Sequence, residues 1–340
     1  MPDPAAPGLA TPDLPIPDLP GLDVVGPQPA ALIGRHTFDE VWGVLVDGRP
    51  WPGLGPGEPL TLPMRHGDVR VDTQSALAAL GPAWGLGPLQ DIGDEQARED
   101  LERATLATHT FVAQSVRGLH LPTVPYWAIE AGGSAAERFL LRWRGTAEPQ
   151  HVRAVDAYWC SVAVHPVDAA SSTARLIAST GADVATCLSG AVAAMGGPRH
   201  GAVPAAVLRL VAEAEHGTDV RAVVRSALVG GEALPLFAAP PTGAAAERAR
   251  VLREAVLRVG APRYEAAARL EEAAAELLAE VGAAPVPATA GPQFWAAVLL
   301  DSADVPVHLF TALAICGRTA DWSAHILDQN RTRHPVPTAA

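Results

Sequence analysis

An all-α fold is the structure that this sequence predicts, and three features predict it. Several segments repeat apolar residues at the three- and four-residue spacing of an amphipathic helix. Alternation of apolar and polar residues, which is typical of a half-buried strand, is scarce. Only 5% of the 340 residues are aromatic, so a sheet would lack much of its usual material. Because 49% of the residues are hydrophobic, the chain can bury a sizeable core.

The predicted helices can be placed by their first and last residues. The run FDEVWGVLV at 38–46 predicts a short helix that begins at Thr37 or Asp39, since both are good N-cap residues. Three further segments with helical spacing each end at glycine, which is the preferred residue just beyond a helix. These segments are 101–116 before Gly118, 184–195 before Gly196 and Gly197, and 270–281 before Gly282.

The composition also indicates how the chain is divided. Residues 1–30 alternate Pro, Asp, Gly and Ala, and we expect this leader to be disordered because it has too few large side chains to bury. The proline-rich stretches 235–249 and 282–292 are expected to be loops at the surface or over a cleft. We therefore expect a large helical domain with a smaller helical domain inserted into it: 31–201 together with 293–330, and 202–292.

Several classes of function are disfavoured. A net charge of −12, with all 25 basic residues being Arg, argues against nucleic acid as a partner. Three widely spaced cysteines indicate neither a disulfide framework nor a zinc site, and the histidines show no metal-binding spacing. No apolar run reaches the roughly 18–20 residues of a membrane span, and the first residues lack a basic signal-peptide start. We expect a soluble cytoplasmic protein without a metal.

Two stretches carry a resemblance to a known family. The first is HPVDAASSTARLIASTGAD at 165–183 with GPRHG at 197–201, and the second runs from QFWAA at 293–297 to GRTADWSAH at 317–325. They resemble the citrate synthase family, including its actinobacterial and 2-methylcitrate synthase-like members, whose motifs are His-x-x-Asn-Ala-Ser-Thr and Gly-Pro-Leu-His-Gly. The resemblance implies a two-domain all-α homodimer that condenses acetyl-CoA, or another acyl-CoA, with oxaloacetate in the tricarboxylic acid cycle. Acetyl-CoA would then be a co-substrate, and no cofactor would be permanently bound.

The resemblance also implies roles for individual residues. His200 matches the histidine that stabilises the enol of acetyl-CoA, and His165 matches one that binds oxaloacetate. Arg248 and Arg318 match arginines that bind its carboxylates, a task for which the forked guanidinium is well suited. The alternatives are structural: His165 would only cap the helix that follows it, and the two arginines would be solvated surface residues.

Two positions depart from the family pattern. Gln293 lies where the family has the carboxylate that takes a proton from the acetyl-CoA methyl group, and a neutral amide cannot accept that proton. Ala239 lies where the family has a second histidine. We therefore expect weakened or altered activity, unless Asp301 or Glu247 serves as the base.

Two readings other than a condensing enzyme remain open. The chain could be a catalytically silent paralogue that acts as a dicarboxylate-binding or regulatory dimer partner, either of itself or of an active synthase. It could also be a sensor of, or an enzyme for, another acid, with its pocket reshaped by the proline-rich stretch 238–242.

Overall fold

The computed structural model describes residues 29–50, 54–197, 202–215, 219–229, 243–280 and 290–332. These residues form helices and no strand, which confirms the all-α prediction. None of the described helices is long and apolar enough to span a membrane. The α-helices are α1 Phe38–Asp47, α2 Val69–Trp84, α3 Asp94–Arg117, α4 Tyr126–Glu130, α5 Ala135–Arg144, α6 Pro149–Ala163, α7 Ala169–Ser179, α8 Val184–Ala194, α9 Ala202–Glu215, α10 Val220–Val229, α11 Gly243–Arg258, α12 Tyr264–Glu280, α13 Pro292–Asp301 and α14 Phe310–Thr332.

Helix α1 begins as its sequence predicts. The Thr37 hydroxyl accepts a 3.3 Å hydrogen bond from the Glu40 amide, and the Glu40 carboxylate accepts one of 2.9 Å from the Thr37 amide. This reciprocal pair satisfies two amides that have no partner within the helix. Thr37 is therefore the N-cap, and Gly48 ends the helix with a left-handed φ of 70°.

The other predicted helices are also present, with small shifts at their ends. The segment predicted at 101–116 is part of the longer α3, which Gly118 terminates, and the segment at 184–195 corresponds to α8. The segment at 270–281 lies in α12, which begins at Tyr264, while Gly282 is outside the described residues.

Three boundary predictions are wrong. Residues 243–249 were expected in a loop but form the first turns of α11, because alanines follow the last proline and favour a helix. Pro292 belongs to α13, where a proline at the first helical position needs no amide partner. Pro29 and Ala30 were placed in the leader, but they belong to a 3₁₀ turn in which Ala30 is buried. The rest of the leader, residues 1–28, lies outside the described residues.

Helix α14 lies at the centre of the described structure. It packs against α1, α3, α6 and α7, and almost every residue from Phe310 to Leu327 is buried. Polar contacts fix its position along α3: the Thr105 and Ser323 hydroxyls are 3.3 Å apart, and the buried His109 ring donates to the Cys316 carbonyl at 3.1 Å. Residues near the middle of α14 are therefore held rigidly.

The segment 202–292, which is predicted to form the smaller domain, packs partly against itself and partly against helices of the predicted large domain. Helices α9, α10 and α12 pack against one another, and α9 also contacts α13. Helix α11 packs mainly against α13 and also against α6, so it adjoins elements assigned to the large domain. The division at 201 and 293 stays a prediction.

Candidate active site

A cavity of about 340 Å³ lies where α6, α11, α13 and α14 meet. Four residues singled out in the sequence, which are far apart along the chain, line it together: His165, Arg248, Gln293 and Arg318. The remaining two, His200 and Ala239, lie outside the described residues.

Arg318 is brought into the cavity by the close packing of α14 on α6. A Cβ atom built on the preceding residue, Gly317, would lie 2.8 Å from the Trp159 Cα and 2.4 Å from the Val162 Cγ2. Real Cβ atoms do not approach other atoms so closely, so only glycine permits this distance between the helices. The close approach places Arg318, which is only 3% exposed, against the end of α6.

The Arg318 guanidinium already has partners within the protein. Its Nη2 lies 2.8 Å from the Asp168 carboxylate, 2.6 Å from the Ser171 hydroxyl and 3.1 Å from the Asp321 carboxylate. Its Nε is buried without a hydrogen-bond partner. The arginine is therefore held in place, and any substrate carboxylate would have to share it with Asp168.

Asp321, which is buried and does not line the cavity, holds the Arg318 guanidinium in place. It contacts His325 at 3.2 Å, and Arg175 contacts the other ring nitrogen of that histidine at 3.2 Å. Burial opposes ionisation of Asp321, but Arg318, His325 and Ser171 together outweigh it and lower the pKa of the carboxyl. Asp321 thus remains a charged support for Arg318.

His165 lies in the connection between α6 and α7. Its Nδ1 donates a 2.8 Å hydrogen bond to the Pro166 carbonyl, so in the neutral ring Nε2 carries a lone pair. Burial and the charges of Arg318 and Arg248 lower the pKa of His165 to about 4. The alternative that His165 caps the next helix is wrong, because the Asp168 carboxylate accepts the Ala170 and Ser171 amides there.

Arg248 differs from Arg318 in having no ionic partner. It projects from α11 and is only 9% exposed, yet no carboxylate of the described residues pairs with it. Burial, followed by the charge of Arg318, lowers its pKa to about 10, so it stays protonated at neutral pH. The alternative of a solvated surface arginine is therefore wrong for both arginines.

Gln293 is the second residue of α13, whose N-terminal end borders the cavity. Its side chain is exposed to solvent at that border. The two carboxylates considered as replacement bases do not line the cavity: Asp301 pairs with Arg263 at 3.2 Å, and Glu247 pairs with Arg250 at 2.6 Å.

Asp168 is the functional residue that the sequence reasoning missed. It is the one carboxylate among the described residues that line the cavity, and its side chain is 27% exposed. Its Oδ1 accepts hydrogen bonds from the Ala170 and Ser171 amides and from Arg318. An aspartate three residues before Ser171 is a recognisable N-cap signal, but nothing local indicates that it also pairs with Arg318.

The described residues include no cluster of three or more His, Cys, Asp and Glu side chains that could hold a metal ion. The described residues that line the cavity include two buried guanidinium groups, a neutral histidine, an amide and one carboxylate. Such a set suits a small ligand with more than one carboxylate, since a buried arginine recognises an anion through paired hydrogen bonds.

Comparison with known proteins adds independent information. The family model described as citrate synthase, C-terminal domain, matches residues 61–336. Putative citrate synthase 2 of Mycobacterium tuberculosis is 48% identical over 297 residues, which cover 87% of this chain and 79% of that protein. The 2-methylcitrate synthase of Shewanella oneidensis is 26% identical over 190 residues, which cover 56% of this chain and 50% of that protein.

Solved structures agree on the fold. The citrate synthase of Thermoplasma acidophilum, in a ternary complex with carboxymethyl coenzyme A and oxaloacetate, has a TM-score of 0.70 at 16% identity, covering 89% of this chain and 84% of that one. The citrate synthase of Pyrobaculum aerophilum has a TM-score of 0.63 at 20% identity, covering 92% and 84%. The likeness in sequence over most of the chain, together with the shared helical fold, leads to one conclusion: this chain belongs to the citrate synthase family.

Proposed function

We propose that the cavity binds a 2-oxo dicarboxylate such as oxaloacetate, and that the chain condenses it with acetyl-CoA or another acyl-CoA only slowly. The observation that carries the proposal is the guanidinium of Arg248, which is buried in the same cavity as Arg318 and has no ionic partner among the described residues. A buried charge without a partner is costly, and an anionic ligand would offset that cost. The T. acidophilum relative, crystallised with oxaloacetate and a coenzyme A derivative, makes these ligands the first to test.

The two arginines would contribute differently to binding. Arg248 has no competing carboxylate among the described residues, so it would take one carboxylate of the ligand with its full hydrogen-bonding capacity. Arg318 is shared with Asp168 and Asp321, so its contribution would be smaller. The result would be a binding site for a dicarboxylate whose affinity depends mainly on Arg248.

The proposed slowness follows from Gln293. Carbon–carbon bond formation requires removal of a proton from the methyl group of the thioester, and an amide cannot accept it. A general base typically contributes about 10²–10⁴-fold to a rate. The family resemblance also implies that Ala239 replaces a proton-donating histidine, although the two losses would not multiply fully.

Thiol release and citrate formation from acetyl-CoA and oxaloacetate test the condensation. We expect slow turnover by the unaltered protein, an increase of about 100-fold or more in Gln293→Glu, and a further increase when Ala239→His is added. Gln293→Asn is the matched control, because it shortens the side chain and keeps the amide. Turnover by the unaltered protein in the usual enzyme range, about 1–10³ per second, would contradict the proposal.

Calorimetric titration with oxaloacetate tests the binding step separately. Arg248→Gln should abolish measurable binding, whereas Arg250→Gln should not, since Arg250 is exposed and paired with Glu247 and Glu254. Pyruvate, which lacks the second carboxylate, should bind at least tenfold more weakly than oxaloacetate. Equal binding of the two acids would rule out a dicarboxylate site.

A second candidate function is a catalytically silent dimer partner, and the amide at Gln293 favours it. The cavity would then bind a dicarboxylate without turnover, and the chain would assemble as a homodimer or with an active synthase. Mass measurement of the intact assembly, isolated from cells that also make an authentic synthase, tests this. Citrate formation that is abolished by Arg248→Gln would exclude the silent role.

A further inference from the structure

A second, larger cavity lies at the C-terminal end of α3. Its volume is about 530 Å³, which is in the range of small-molecule sites. It is enclosed by the extended segment 59–65, the C-terminal end of α3, the connection 118–125 and parts of α4 and α5. It shares no lining residue with the cavity that contains Arg318.

The charge of this second cavity is unusual for so acidic a protein. Three arginines line it, namely Arg65, Arg117 and Arg142, and none of the described residues that line it is Asp or Glu. The hydrogen bonds of Arg65 and Arg117 go to backbone carbonyls, those of Gln114, Pro122 and Trp143. These partners carry no charge, and no carboxylate among the described lining residues compensates the positive charge of the cavity.

Arg142 provides the strongest observation. It is only 7% exposed, and no hydrogen bond or ion pair joins it to the described residues. Arg138 lies one turn earlier on α5 and is equally buried, but it has partners: it pairs with Asp39 at 3.0 Å and donates a hydrogen bond to the Gly132 carbonyl at 3.1 Å. A buried arginine is normally paired in this way, so Arg142 requires a different explanation.

The charged groups near Arg142 among the described residues do not neutralise it. Burial and the charge of Arg138 lower the pKa of Arg142 to about 10, while Tyr126 acts weakly in the opposite direction. The Tyr126 hydroxyl itself donates to the Gly57 carbonyl. Arg142 thus stays charged at neutral pH without a counter-ion from the described residues.

The walls of the cavity are largely apolar. Leu62 and Ile129 are buried beside it, while Leu119 and Leu121, on the connection after α3, line it with 79% and 53% of their surface exposed. Large exposed leucines next to a buried charged group are typical of a binding site for a ligand that has an apolar part and one group of opposite charge.

We propose that this second cavity binds a small organic anion, in which a carboxylate or phosphate group pairs with Arg142 while an attached apolar body covers Leu119 and Leu121. Arg65 and Arg117, which lie nearer the solvent, would add hydrogen bonds to the same anionic group. The site is separate from the proposed dicarboxylate cavity and does not depend on any catalytic activity.

Calorimetric titration of the full chain with hexanoate, monohexyl phosphate, inorganic phosphate and 1-hexanol tests the proposal. We expect binding of one or both hexyl anions, with the tighter one identifying the anionic group, and at least tenfold weaker binding of 1-hexanol and of inorganic phosphate. Binding of 1-hexanol as tight as that of the hexyl anions would overturn the proposal, and so would the absence of binding by both anions at millimolar concentration.

Variants locate the site. Arg142→Gln should weaken the anion at least tenfold, whereas Arg103→Gln, which removes an exposed arginine of α3 paired with Glu58, should leave it unchanged. Leu121→Asp adds a repelling charge at the exposed rim without burying it, and should weaken binding even if Arg142→Gln alters folding. Arg248→Gln, which changes the first cavity only, should leave binding of the anion to the second cavity unchanged. Binding that is lost in Arg248→Gln, or retained in both Arg142→Gln and Leu121→Asp, would refute the assignment.

Discussion

Arg318 donates a 2.8 Å hydrogen bond to Asp168, a residue 150 positions earlier in the chain, and both side chains line the same cavity. The carboxylate of Asp168 therefore occupies part of the guanidinium that the family resemblance assigns to a substrate carboxylate. It also adds a negative charge to a cavity whose proposed ligand is an anion. This relationship makes Asp168 the most informative position to change.

Asp168→Asn should strengthen dicarboxylate binding, by about tenfold. The substitution removes one negative charge from the cavity and releases Arg318, and asparagine is as good an N-cap as aspartate, so α7 should remain intact. Titration with oxaloacetate measures the effect.

Asp183→Asn is the matched control for that change. Asp183 caps α8 with the same two amide contacts, both of 3.0 Å, but it does not line the cavity. It should therefore leave affinity unchanged. Weaker binding by Asp168→Asn would mean that the carboxylate positions the ligand and does not compete with it.

Dicarboxylate affinity should rise as the pH falls from 8 to 6. In the free protein His165 has a pKa of about 4 and is neutral across this range. A bound dianion would raise that pKa, so binding would take up a proton, and proton-coupled binding is favoured at lower pH. Calorimetry in two buffers of different ionisation enthalpy measures the uptake.

His165→Asn should abolish this pH dependence, because the amide can still donate to the Pro166 carbonyl but cannot be protonated in this range. Arg248→Gln would not be informative as a control, since it removes binding altogether. Affinity in the unaltered protein that is constant, or that rises toward pH 8, would contradict the assignment to His165.

Asp156→Asn should stabilise the fold increasingly as the pH rises from 4 to 7. Burial, together with the nearby charges of Asp39 and Glu40, raises the pKa of Asp156 to about 7, although the Phe38 amide donates to it at 2.9 Å. Between the ordinary aspartate pKa and about 7, the folded state binds a proton that the unfolded state has lost. The contribution of Asp156 to the free energy of unfolding of the unaltered protein therefore falls as the pH rises through that window.

Asparagine at 156 keeps an acceptor for the Phe38 amide and has no charge to bury. The difference in unfolding free energy between variant and unaltered protein should be near zero at pH 4 and about 1–4 kcal/mol at pH 7.5. Denaturant unfolding at several pH values measures it. A difference that does not change with pH would show that Asp156 is ionised throughout.

Gly317→Ala should destabilise the protein by about 1–3 kcal/mol and also reduce dicarboxylate binding. The added methyl group would overlap with Trp159 and Val162, so α14 would have to move away from α6 and carry Arg318 with it. Gly133→Ala is the control, because its Cβ would make only an ordinary 3.5 Å contact with Glu137. Normal stability and binding in Gly317→Ala would show that the two helices can separate without cost.

The sequence by itself determined the local structure and the family. The reciprocal Thr37 and Glu40 contacts lie within one helical turn, so the local sequence is enough to predict where α1 begins. Glycines likewise mark where α1 and α3 end. The resemblance to the citrate synthase family implied a shared substrate site, and four of the residues that it singled out line one cavity: His165, Arg248, Gln293 and Arg318.

Only the tertiary structure decided how those residues are paired. Asp168 is the N-cap of α7 and also the partner of Arg318, whereas Arg142 and Arg248 are buried without any such partner among the described residues. Capping and periodicity depend on neighbours a few positions away, which a sequence displays directly. Whether a buried charge is neutralised depends on segments more than a hundred residues apart meeting at a distance of about 3 Å, and only the packing of α6, α7, α11 and α14 fixes that distance.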